Sequence, residues 1–278
     1  QAASAYAALQ NVVRLEPEDS ESWALGGILL VDHLGMLEEA LEWWQRGRRV
    51  NPKDVTPLIE QIAILVRLGM YSEAGELLEI MFDSEMEQPD RKQLVNMDRV
   101  RQMVDKAAKM EKDEIFRPQN PKHPRWEIIG RMKTRKPLSD TFFLFTFVAP
   151  IVFLMGTVAM TLLGGSQFGF ILVFVIILGL FMGVSRAAAG LLQKLNRHAL
   201  DLERAIDVEA TSGKVCVPTE IRGSKLYNHT IGKRSTAFQD RHSKIIESEE
   251  IIGQKWKPNL PDFSNTENWW AEDEESEG

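Results

Sequence analysis

The chain has 278 residues with 40 acidic and 33 basic side chains, a formal net charge of -7 that disfavours nucleic acid as its main partner. Its single cysteine, Cys216, excludes an internal disulfide and any multi-cysteine metal site. The mean hydropathy of -0.20 conceals a sharp partition, because the 45 residues from Thr141 to Ser185 contain no Lys, Arg, Asp or Glu.

The first hundred residues repeat with a period close to 34. Leu34-Gly35-Met36-Leu37-Glu38-Glu39-Ala40 recurs as Leu68-Gly69-Met70-Tyr71-Ser72-Glu73-Ala74. Leu15-Glu16-Pro17 recurs as Val50-Asn51-Pro52, here 35 residues on, so one extra residue is expected near Asp32–His33. Gly35 and Gly69 fall where the chain must turn between helices, a position suited to positive φ. Ala40 and Ala74 leave room for close helix approach. Leu37, Leu41, Trp44, Leu58, Ile62 and Leu65 follow helical spacing and should form the core between helices. Trp43 points away from Trp44, toward a neighbouring repeat. Residues 4–17 read as the second helix of a repeat, which implies further repeats upstream. Downstream, a polar helix over about Asp90–Asp113, with Leu94, Met97, Val100, Val104 and Ala108 on one stripe, should cap the stack.

On these residues the chain resembles the tetratricopeptide repeat family. The family's Trp, Gly four later, small residue, following aromatic and closing Pro are matched by Trp23, Gly27, Ala40, Trp44 and Pro52. The second copy matches with Leu58, Ile62, Ala74 and Leu78 and lacks the closing Pro. The resemblance covers roughly residues 4–85 and implies stacked pairs of antiparallel helices whose first helices line a groove for a peptide or partner helix. Carried over, the lining positions are Ala24, Ile28, Val31 and Asp32 in one repeat and Ile59, Ala63, Val66 and Arg67 in the next. Members that capture chaperone C-terminal carboxylates use Lys and Asn where this chain has Ala24, Ile28, Ile59 and Ala63, so a chaperone tail is not the expected partner. An apolar groove edged by Arg67 and Asp32 suits a hydrophobic or amphipathic segment.

Residues 117–140 form a basic linker with seven basic and two acidic side chains. The uncharged window then divides at Gly164-Gly165-Ser166-Gln167. Thr141–Leu163 and Phe168–Ala189 are each long enough to cross the hydrocarbon core, predicting a two-span hairpin over 141–189. A hairpin buried inside a soluble domain is the competing reading. With basic residues on the outer flanks and none in the turn, both termini are expected on the cytoplasmic or stromal-equivalent side. Pro150 and Gly156 predict a kink in the first span. Gly179 and Gly183 have the small-residue spacing that lets membrane helices pack closely, within the hairpin or against another protein. No ionisable side chain lies between Thr141 and Ser185, which argues against an ion path.

An amphipathic helix is expected to continue through 190–209, lying on the membrane or returning to the repeats. The tail, 210–278, reads as largely irregular, with a short apolar Val215–Val217 that could be a strand. Its acidic end carries Trp269 and Trp270, either in a disordered tail or in a linear motif that docks in a partner's groove or in the chain's own repeats. Gly232-Lys233-Arg234-Ser235-Thr236 lacks the upstream glycine of a phosphate loop and reads as a basic loop. The five histidines have no ligand spacing, no catalytic constellation is found, and neither a metal nor another cofactor is expected.

The sequence therefore predicts an all-α protein: a repeat domain over 1–116, a membrane hairpin, an amphipathic helix and a tail. Its expected role is a non-enzymatic scaffold or adaptor that binds a protein at a bilayer surface and supports assembly or quality control of a membrane complex. Repeats followed by two spans also form the layout of chloroplast assembly factors for photosystem II, which this chain resembles in architecture. The alternative is a structural accessory subunit held in a larger membrane complex by its hairpin.

Overall fold

Six helices follow one another through the N-terminal part of the computed structural model, which describes residues 1–82, 86–110, 114–163 and 167–267. They are α1 (Ala2–Leu15), α2 (Ser20–Ile28), α3 (Leu37–Val50), α4 (Val55–Leu68), α5 (Tyr71–Met81) and α6 (Arg91–Ala108), each packed against the next. Aspartates start three of them: Asp19, Asp54 and Asp90 accept backbone N–H groups of Glu21, Thr56 and Gln93, satisfying donors the first turn leaves free. Gly35 (φ 64°) and Gly69 (φ 80°) end the first helix of each pair in the left-handed region, where a side chain is strained. The extra residue predicted near Asp32–His33 is absorbed by a π-helical turn, Leu29–Leu34, that continues α2 without a break.

The apolar positions predicted for the core between the repeat helices are all inside. Leu37, Leu41, Leu58, Ile62, Leu65, Ala40 and Ala74 are fully buried, and each large aliphatic side chain among them contributes about 1.5–3 kcal/mol. Gly26 and Gly27 leave room on α2 for the indoles of Trp43 and Trp44. Trp43 turns toward α1 and α2, 5.3 Å from Tyr6 and 4.6 Å from Trp23 between ring centroids, and donates its indole N–H to the Trp23 carbonyl. In α6 the buried stripe uses Met97 and Ala107 rather than Ala108, which is exposed, and Leu94 at its start is 43% exposed. The N-terminal part is thus a repeat-like helical stack.

The linker contains α7 (Pro124–Met132), whose Trp126 and Ile129 are buried. A continuous helix then runs from Asp140 to Leu163 through α8 (Asp140–Phe143), a π-helical turn (Leu144–Val148) and α9 (Ala149–Leu163). This 24-residue helix is long and apolar enough to cross a membrane. The wide turn ends just before Pro150, which lacks an N–H and crowds the carbonyl four residues back; α9 then runs without a break through Gly156, the other position where a kink was expected. Thr157 and Thr161 donate their hydroxyls to the carbonyls of Phe153 and Thr157. Beside it lies α10 (Gln167–Leu195), in which the apolar helical stretch Ile171–Val184 is shorter. The turn predicted at Gly164–Ser166 lies outside the described residues.

At the base of this pair Phe143, Val148, Ala188 and Leu192 form their own apolar cluster. The Asn196 side chain bonds both backbone groups of Leu138, donating to its carbonyl at 2.8 Å and accepting its N–H at 2.9 Å. The helix bends there, and α11 (Arg197–Ser212) returns to the repeats, which decides between the two placements expected for the amphipathic helix.

Most of the described tail lies outside helices, but two short helices interrupt it. They are α12 (Lys225–Ile231) and α13 (Thr236–Ser248), capped by Ser224 and Ser235, and both pack on α11. These helices are short, and each buries few apolar residues, chiefly Leu226, Tyr227, Phe238 and Ile245, so no long periodic signal marks them in sequence. Val215 makes an isolated parallel bridge with Ile251, and no strand occurs among the described residues. Further on, the chain passes along α3 at Phe263–Asn265, where the buried Gln45 and Arg48 donate to the carbonyls of Asn265 and Phe263.

Candidate functional site

The eight predicted groove residues divide into an open end and an occupied end. On α2, Ile28 is 49% exposed and the Asp32 side chain is 62% exposed, while Ala24 and Val31 are half-buried. On α4, Ile59, Ala63, Val66 and Arg67 are half-buried. Arg67 donates Nε and one terminal nitrogen to the two carboxylate oxygens of Asp207 on α11, at 3.2 and 3.1 Å. Asp32 stands 3.9 Å from the same guanidinium, so the predicted pair of edge charges does meet. Burial opposes the charge on Arg67, but Asp207 outweighs it and the pKa lies above that of a free arginine. Arg234, from the basic loop before α13, completes the arrangement at 2.9 Å from Asp207.

The two repeat glycines seat the C-terminal helices. A side chain at Gly35 would strike Phe238 of α13 and reach 3.0 Å from the Ala210 Cβ, and one at Gly69 would press on the Arg204 guanidinium. Arg204 and Ala210 lie six residues apart on α11, about 9 Å along its axis, close to one interhelix spacing. In this way α11 crosses both repeat turns. Arg204 donates to the carbonyls of Val66 and Arg67, and Arg241 and Ser235 to those of Leu34 and His33. Cations and a hydroxyl thus cover the free carbonyls, and the negative dipole ends, of two helices.

Behind this contact Glu209 is fully buried. One oxygen accepts the N–H groups of Cys216 and Val217 at 2.6 and 2.7 Å and also an Arg222 nitrogen; the other lies 3.0 Å from His242 Nε2. Burial alone would raise its pKa, but His242, Arg222 and the two N–H groups outweigh that and hold it below the ordinary glutamate value. The nearby Cys216 thiol is pushed well up by burial and by Glu209, the opposite of an activated nucleophile. Among the described residues no group of three metal-ligating side chains occurs.

A cleft of about 900 Å³ opens between α6, α10 and α11, and basic side chains outnumber acidic ones two to one on its wall. The sequence reading missed it. Its residues come from segments more than a hundred positions apart; Val66 and Arg67 had been assigned to the repeat groove, and Lys233 and Arg234 to a basic loop. Of the membrane positions singled out, Gly179 and Gly183 would meet nothing within 4 Å if given a Cβ; the close approach of α9 and α10 is at Gly156, against Ile177. Trp269 and Trp270 lie outside the described residues. Comparison of the chain with family models, with curated proteins and with solved structures finds no match to any of them.

Proposed function

We propose that this chain is a membrane-anchored scaffold of the tetratricopeptide repeat type, which holds a protein partner at a bilayer surface during assembly or quality control of a membrane complex. In this reading α9 and α10 are two spans joined by an outside turn, and both termini lie on the cytoplasmic or stromal-equivalent side. The observation that carries it is the stiff joint between stack and hairpin: α11 crosses both repeat turns, and Asn196 holds both backbone groups of Leu138. Such a joint confines the binding face to one height above a membrane and raises its effective concentration for partners there. The open end of the groove, with exposed Leu25 and Ile28, is the face for the partner segment.

Copurification of the tagged full chain from its native membrane in mild detergent tests this, beside Ile28→Glu. Ile28 is half exposed, so the charge should leave the fold intact while removing the partner. Retention of every partner by the variant would exclude this face. Orientation is read with a membrane-impermeant maleimide in sealed vesicles. Cysteines introduced by Ser166→Cys and Ser264→Cys should label from opposite sides.

One observation favours the alternative, a structural accessory subunit. The small-residue face at Gly179 and Gly183 has open space in front of it, as a helix awaiting another protein's span would. Gly179→Leu with Gly183→Leu should then dissolve a stoichiometric membrane complex, whereas the scaffold reading expects its composition unchanged.

A further inference from the structure

The cleft between α6, α10 and α11 has three features that point to a ligand. First, its cations are largely uncommitted. Asp207 is held by Arg67 and Arg234, and Asp201 by Arg125, but Arg99, Lys106, Lys194, Arg197 and Lys233 make no ion pair among the described residues. Burial, and after it the neighbouring Arg125, hold the Arg197 pKa below that of a free arginine, against the opposing pull of Asp201. Second, the wall is also apolar: Met103, Met110, Ile115 and Leu200 stand among these charges. A site that is both basic and apolar fits an amphiphilic anion better than a free ion.

Third, the cleft opens at the foot of the hairpin. The apolar helix 140–163 has 24 residues, and the same count along α10 from Gln167 ends at Gly190. Phe143 packs with Ala188 and Leu192, so the two helices run in that antiparallel register. Gly190, Gln193 and Lys194 all line the cleft. If Asp140 marks the surface of the hydrocarbon, the mouth of the cleft lies at the level of the headgroups. A second, smaller basic hollow, lined by Lys136, Lys225 and again Lys233, flanks it.

We infer that this cleft binds the phosphate- or sulfate-bearing headgroup of an anionic membrane lipid, with Lys194, Arg197 and Lys233 on the acid group and Met103 and Leu200 against the glycerol and first methylenes. The inference rests on the reading of the hairpin as a membrane anchor. The three cations line the same cleft, and guanidinium and ammonium donors together suit a tetrahedral oxyanion. A bound lipid would tie α6, the end of the repeat stack, to α10, the root of the hairpin.

The test is native mass spectrometry of the full chain in a non-ionic detergent, titrated with dioleoyl phosphatidylglycerol and separately with dioleoyl phosphatidylcholine. Phosphatidylglycerol is expected to bind about tenfold more tightly. The variant Lys194→Gln, Arg197→Gln, Lys233→Gln should lose that preference. A control with the same charge change elsewhere near the membrane, Lys122→Gln, Arg131→Gln, Arg135→Gln, should keep it. Equal binding of the two lipids, or equal losses in the two variants, would overturn the inference in favour of diffuse attraction. Displacement of phosphatidylglycerol by equimolar inorganic phosphate would overturn the lipid assignment and leave a soluble-anion site. Flotation with phosphatidylcholine liposomes checks the anchor separately: a chain that floats without preferring phosphatidylglycerol retains its anchor and refutes only the cleft assignment.

Discussion

Arg67 of α4 and Asp207 of α11 lie 140 residues apart in sequence and meet through two hydrogen bonds of 3.2 and 3.1 Å. The apolar helices α9 and α10 lie between them in the chain, so this pair closes a loop that contains both. The Asp207 side chain is 4% exposed and also holds Arg234, which makes it the pivot of the contact. Asp207→Ala strands two arginines at a packed surface and is expected to cost about 3 kcal/mol, read as a lower denaturation midpoint in mild detergent. In a double-mutant cycle, Arg67→Met and Asp207→Leu should couple by about 1–3 kcal/mol. Additivity would mean that the pair is ornamental.

Gly35→Ala should destabilise more than a single added methyl ordinarily does. The residue has φ 64°, and the new Cβ would strike Phe238. A melting-temperature drop of several degrees is expected, at about 2–4 °C per kcal/mol for a chain of this size. Phe238→Ala in the Gly35→Ala background relieves the clash but not the backbone strain, so it should recover no more than part of the loss.

Glu209 predicts a pH dependence with a definite sign. Its folded-state pKa is held below the ordinary glutamate value of 4.5, so its stabilising contribution is complete above that value. It fades as the pH falls through the depressed folded-state pKa. Glu209→Gln leaves Arg222 and His242 facing a neutral amide and should cost about 3 kcal/mol at pH 7. Melting curves of wild type and variant should converge as the pH is lowered below about 4.5. A gap that is the same at pH 7 and pH 3 would show that the carboxylate charge contributes nothing.

Asn196→Leu removes the side chain that bonds Leu138 at both its N–H and its carbonyl while keeping similar bulk. The hairpin root should loosen without global unfolding. The expected readout is faster trypsin cleavage after Arg135, with an unchanged rate in the repeat stack. An unchanged rate at the root would place the stiffness of the joint in the Phe143–Leu192 cluster instead.

Deletion of residues 1–116, an obvious way to separate the repeat-like stack from the apolar helices, is expected to expose the α11 and α13 faces that rest on Gly35 and Gly69. The remainder should aggregate in detergent and elute early from a sizing column. For that reason point variants such as Ile28→Glu discriminate better than truncation.

The features legible in sequence share one property, which is that their causes are local. The period placed the repeat helices, because Gly35 and Gly69 turn the chain through their own backbone conformation. The 35-residue spacing located the π-helical turn, since one inserted residue must be absorbed within a helix or break it. The absence of charge over 141–185 marked the apolar helices through solvation alone. By contrast, the tail looked irregular because α12 and α13 are held by a few scattered side chains whose partners lie on α11.

By itself, then, the sequence determined an all-helical chain, the repeat-like stack with its turns and core, and the location of the apolar helix, for each depends on interactions within a few residues. Only the tertiary structure decided what the repeat turns serve. Gly35 and Gly69 are demanded by backbone conformation, but Phe238 and Arg204 reach them from the far side of the hairpin. It also decided that Arg67 answers to Asp207, and that lysines and arginines from α6, α10, α11 and the loop before α13 face one cleft. Such meetings depend on long-range geometry, to which neither periodicity nor charge count is sensitive.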